Sequence, residues 1–146
     1  METFRQFFES KLAEEDKNLK TTLQKLPQRH RTLVKGYSYE FQQGNTLKND
    51  DEHVGYIDDD KKKIAVAAPW HYGREFTFLH EIAHKVWAIL DEDKRKEWRQ
   101  IAKANKECKE PAEEAFCMAY ANFYSKHQVV IYNNPQWNKF IESLPK

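Results

Sequence analysis

The sequence predicts an α+β domain, on three observations. Five stretches, 2–26, 76–90, 91–109, 111–124 and 136–144, carry apolar residues near helical spacing. Two short runs, 52–57 and 62–68, flank the polar turn Asp58-Asp59-Asp60-Lys61 as the arms of a hairpin. Glycine occurs only 4 times in 146 residues, too rarely for a fold built from many tight turns. A chain of this length makes one domain with a sizeable core. We expect an upper lobe over about 1–90, a lower lobe over about 91–146, and a cleft between them.

In the first helix Phe4, Phe8, Leu12, Leu19, Leu23 and Leu26 recur with charges between them, and Pro27 ends it. Arg31–Phe41 alternates loosely through Leu33, Val34, Tyr37, Tyr39 and Phe41 and reads as a strand. A polar loop follows to Asp51. Ile64–Ala68 is apolar on both faces and belongs inside the sheet; the more polar arm with Gly55 belongs at its edge. A small twisted sheet of about three strands results. Pro69–Gly73 turns the chain into a helix whose stripe is Leu79, Ile82, Ala83, Val86 and Leu90. Asp91–Lys109 is charged and helical, with Trp98, Ile101 and Ala102 as its contacts. Pro111 suits a first helical position, and the helix it starts runs to about Tyr124. Asn133-Asn134-Pro135 opens a C-terminal helix anchored by Trp137, Phe140 and Ile141.

Within the helix expected over 76–90 lies His80-Glu81-Ile82-Ala83-His84. Two histidines one turn apart share a helix face and can offer two imidazole nitrogens to one Zn²⁺. Glu81 sits beside them, placed to take a proton from a water. The pattern alone is weak, since roughly one chain in a few hundred carries it by accident. Its context strengthens it: the apolar stripe buries one side and leaves His80, Glu81 and His84 to a cleft.

A catalytic zinc takes three protein ligands and keeps one position open. A further histidine at the spacing H-E-x-x-H-x-x-G-x-x-H is absent, because Trp87 and Leu90 stand there. Asp91 is better placed to support a histidine than to close the site. With Pro111 first in its helix, Glu113 is third, where a glutamate satisfies the helix start. Glu114 is one residue further and free to face the cleft. Glu114 is therefore the candidate third ligand, with Glu113 as the alternative.

These residues resemble the gluzincins, zinc metallopeptidases with H-E-x-x-H on one helix and a glutamate ligand on a later one. The likeness is to their short branch, around the anthrax lethal factor catalytic domain and the Pro-Pro endopeptidases, and to small phage and bacterial metallopeptidase-like proteins. Their glutamate helix reads approximately E-x-F-A-E-A-F/Y; here Glu114, Phe116, Ala119 and Tyr120 keep it, with Cys117 for the small residue and Met118 for the second acid. The resemblance spans Glu52 to about Tyr124. It implies a mini-zincin fold, one Zn²⁺ per chain on His80, His84 and Glu114, and peptide-bond hydrolysis with Glu81 as the base.

Two departures follow. Met118 cannot accept a hydrogen bond from a histidine, so Asp91, Glu75 or Glu113 must orient the rings. No tyrosine lies between Tyr72 and Tyr120, so transition-state stabilisation falls to Tyr120, Tyr124, His127 or Tyr132. The edge Gly55, Tyr56 and Ile57 would receive an extended substrate as an added strand. A second function class is a non-enzymatic interaction module, with His127 or Cys117 closing the metal as a fourth ligand. A third is a latent protease with a covered cleft, or with Cys108 as a blocking thiolate.

Charge is balanced, with 24 basic and 23 acidic residues, which argues against a nucleic-acid surface. Peptides or proteins are the expected partners. No secretory leader or membrane-length apolar run is visible, so the expected location is cytoplasmic as synthesised, with export by a leaderless route left open. Cys108 and Cys117 are expected as free thiols.

Overall fold

The computed structural model describes residues 3, 6, 17, 19–42, 55–67, 73–125 and 132–146. In chain order these form α1 (residues 19–25), α2 (Gln28–Thr32), β1 (Ser38–Gln42), β2 (Gly55–Asp58), β3 (Lys63–Ala67), α3 (Gly73–Ile89), α4 (Glu92–Ala104), α5 (Ala112–Tyr124) and α6 (Pro135–Glu142). The fold is α+β, with a small mixed sheet of three strands among helices. Most of the expected N-terminal helix lies outside the described residues.

The strand order is β1-β3-β2. β3 runs parallel to β1, with Ser38 opposite Lys63, and antiparallel to β2, with Gly55 opposite Val66. Ile64, Ala65, Val66 and Ala67 are wholly buried, as a central strand flanked on both sides requires. β2 is the edge. Its turn into β3 uses the Asp58 carboxylate, which accepts from the Lys61 amide at 3.1 Å, and puts Lys62 at φ 49°.

The expected strand over Arg31–Phe41 is corrected. Pro27 both stops α1 and caps α2, which carries His30 into the core. Leu33 and Val34 then bury within a turn, where adjacent apolar residues serve better than in a pleat. Gly36, at φ 83°, redirects the backbone, and the strand starts only at Ser38.

α3 is the central helix: the sheet packs on one side of it and α5 on another. Tyr39 meets Phe78 edge-on at 5.1 Å, fixing β1 to α3. Lys85 bonds Asp59 at 2.7 Å and the Tyr37 hydroxyl at 3.1 Å, which ties the hairpin turn to the exposed flank of the same helix. Below, Trp98 of α4 lies 5.7, 5.1 and 5.2 Å from the rings of Phe116, Trp137 and Phe140. Its indole N–H donates to the Ala112 carbonyl at 2.7 Å, which sets the start of α5 against α4. Apart from Ala65 and Ala67, the buried apolar residues described from Leu19 to Leu144 join in one cluster that includes both α3 and α5. No helix among the described residues is long and apolar enough to cross a membrane.

Candidate metal centre

α3 presents His80 and His84 on one face, with ring centroids 5.1 Å apart at 80°. α5 brings Glu114 against both. Its Oε2 is 3.1 Å from His80 Nε2, and its Oε1 is 3.3 Å from His84 Nε2. Each carboxylate oxygen thus stands at hydrogen-bond distance from one Nε2, and the Glu114 carboxylate bridges the two rings. The donor set, two imidazole nitrogens and a carboxylate oxygen, suits Zn²⁺. A ring nitrogen of each histidine and Cys117 Sγ also lie within 4.8 Å of one another.

The position argument that separated Glu113 from Glu114 is corrected by one residue. Pro111 is the cap and not the first residue of α5, so Glu114 occupies the third position. Direction separates the two glutamates instead. Glu114 faces both Nε2 atoms; Glu113 accepts from His84 Nδ1 at 3.1 Å. Glu113 thus orients one ring from behind, as a support for a ligand should. His80 Nδ1 is buried and has no hydrogen-bond partner among the described residues.

The other candidates divide. Asp91, expected beside a histidine, instead caps α4, accepting from the Lys94 amide at 2.8 Å. Glu75 accepts from the Thr22 hydroxyl at 2.6 Å and links α1 to α3. Tyr120 is wholly buried, with its hydroxyl 2.9 Å from His30 Nδ1. Burial lowers the His30 pKa to about 4, so the ring is neutral and Nδ1 accepts from the phenol. That bond commits the Tyr120 hydroxyl to the core on the side of α2, away from the work expected of it. Tyr124 packs on Tyr120 at 4.9 Å, and burial pushes its phenol up to about 12. Tyr132 donates to Glu110 at 3.4 Å and stacks on Trp137. His127 lies outside the described residues.

Glu81 is buried on α3, at 8% exposure. The edge strand reaches it through Gly55. A Cβ there would stand 2.8 Å from Thr77 Cγ2, 3.2 Å from Glu81 Cγ and 3.3 Å from the Ala65 carbonyl. Gly55 is therefore the residue that lets β2 lie against α3 beside Glu81. Tyr56 follows on the edge at 38% exposure, and Ile57 is half-buried. The sequence marked Gly55 as an edge residue, but nothing local announced its approach to Thr77 and Glu81. We expect Gly55→Ala to cost about 1–3 kcal/mol in denaturant melts, and Thr77→Ser, which removes the nearest methyl, to restore part of it.

The metal-free charge state follows from these bonds. His84 donates from both nitrogens, and the Glu114 hydrogen bond raises its pKa to about 9, burial opposing and Glu113 assisting. His80 and His84 in turn hold Glu114 far below the usual carboxylate range. A raised histidine pKa stabilises the fold fully below 6.5, and that stability is lost as pH rises through about 9. Glu114 is 42% exposed and solvent weakens the pairing. The metal-free protein should therefore lose roughly 1–2 kcal/mol from pH 6.5 to 9, and His84→Gln should flatten that slope in denaturant melts. A metal ion bound through His84 would have to displace the same proton, so such binding should strengthen over this range.

No family model matches the chain, and no curated protein or solved structure matches it.

Proposed function

We propose that this chain is a zinc-dependent endopeptidase. One observation carries the reading: the Glu114 carboxylate from α5 meets both histidine Nε2 atoms of α3. Two groups 30 residues or more apart in sequence thereby form a donor set that the local motif alone cannot make. Zn²⁺ held by His80, His84 and Glu114 would supply Lewis acidity toward a scissile carbonyl and a water. Glu113 keeps the His84 ring in the orientation that directs Nε2 inward. Glu81 takes the proton of the attacking water and returns it to the leaving amine. Among the described residues β2 pairs only with β3, and a peptide would add as a strand along its other edge, past Tyr56, with Gly55 bringing the backbone to Glu81.

A second reading, a closed zinc-binding interaction module, is favoured by one observation, the nearness of Cys117 Sγ to both rings. The test of the first is cleavage of a broad peptide library by the zinc-loaded chain, lost on chelation and regained with zinc. A library left intact from weakly acidic to weakly basic pH favours the module.

A further inference from the structure

Cys117 lies one helical turn beyond Glu114 on α5, and the two side chains share the face turned toward α3. Its sulfur is part of a group. A ring nitrogen of His80, one of His84 and the Cys117 Sγ all lie within 4.8 Å of one another, while Glu114 touches both imidazoles. The thiol is wholly buried, which keeps it from solvent oxidants. A thiol so placed suits a dication held by the two rings, because thiolate is among the strongest protein ligands for zinc.

We infer that Cys117 is a fourth protein donor to the metal, and that the centre rests closed. The inference rests on the metal site proposed above and adds its regulation. His80, His84, Glu114 and Cys117 make an N₂OS set, enough to complete a tetrahedral ion and exclude solvent. As the sulfur–metal bond forms, the S–H bond breaks and the proton leaves to solvent. When that bond breaks, the sulfur takes a proton back and one coordination position opens. A substrate on the β2 edge can bind productively only in the open form, so Cys117 acts as an internal brake.

Cobalt tests this without any substrate, because a thiolate on Co²⁺ gives a near-ultraviolet charge-transfer band that nitrogen and oxygen donors do not. The full chain is stripped of metal and loaded with one equivalent of Co²⁺. Wild type and Cys108→Ala should show the band together with the visible bands of four-coordinate cobalt. Cys117→Ala and Cys117→Ser should lose the ultraviolet band and keep visible absorption, which also reports that the site still folds. Visible bands without the charge-transfer band in wild type would overturn the role of Cys117 and leave the three-ligand centre standing. Wild type that binds no cobalt, or binds it equally after His80→Ala with His84→Ala, overturns the centre itself. If the band is present and Cys117→Ala cleaves peptides no faster than wild type, the sulfur is a ligand but no brake.

Discussion

His80→Ala combined with His84→Ala should leave a chain that carries no zinc, where wild type carries about one equivalent. The two rings are the only imidazoles that α3 carries, so no other histidine on that helix replaces them. Each single substitution should weaken zinc by more than the roughly 10–100-fold that loss of a supporting residue costs, since it removes a direct bond. Glu114→Ala belongs with the histidines. Glu113→Ala belongs with the supporting residues, because its carboxylate bonds His84 Nδ1 and not the inward nitrogen. The expected ranking is therefore Glu114→Ala well above Glu113→Ala, measured by competition with a chromogenic chelator. Folding is checked in the same samples by circular dichroism, since His80 and His84 are only partly buried and their truncation leaves the core intact. Full zinc in the double variant would remove the centre. Equal losses at Glu113 and Glu114 would mean that the carboxylates exchange places when the metal binds.

What could be read beforehand divides by the range of the interaction. Helical spacing of His80 and His84, the double-faced apolar run Ile64–Ala67 and the Asn134-Pro135 helix start are local patterns, and local patterns are legible. Asn134 indeed caps α6, accepting from the Gln136 and Trp137 amides. Pairings across the chain are not legible in the same way. Tyr120 was a reasonable candidate for chemistry until His30, 90 residues earlier, is seen to hold its hydroxyl. Asp91 is close to the histidines in sequence, yet the start of α4 needs its carboxylate for the Lys94 amide. The misread strand at Arg31 has the same origin. Loose alternation cannot tell a pleated strand from a short helix that buries His30 against α5, because the deciding partner lies elsewhere. Glu113 and Glu114 are the instructive pair. Their residue types announced a carboxylate beside the histidines, but only the packing of α5 on α3 assigns Glu114 to the two Nε2 atoms and Glu113 to His84 Nδ1.

Glu81→Gln should cut peptide hydrolysis by at least ~10²-fold, the scale of a positioned general base, and leave zinc content unchanged. Glutamine keeps the size and helix propensity of glutamate, so α3 should hold His80 and His84 as before. It keeps a hydrogen-bonding oxygen but accepts no proton, which separates proton transfer from packing. The distinction matters here because Glu81 is buried against Gly55 and its loss could act through the strand. A structural effect would appear in Glu81→Gln as lower melting temperature or lower metal occupancy. A catalytic one appears in kcat, with both of those held. The pH profile gives a second check. If Glu81 is the base, activity rises through the ionisation of a carboxyl group on the acid side, and the residual activity of Glu81→Gln lacks that limb. The comparison is best made in the Cys117→Ala background as well as in wild type. Should sulfur release limit turnover in wild type, the loss of the base is partly hidden there and shows at full size once the sulfur is gone. A variant that cleaves as fast as its parent in both backgrounds would show that the water is activated without Glu81, and the proposed chemistry would fail even with the metal in place.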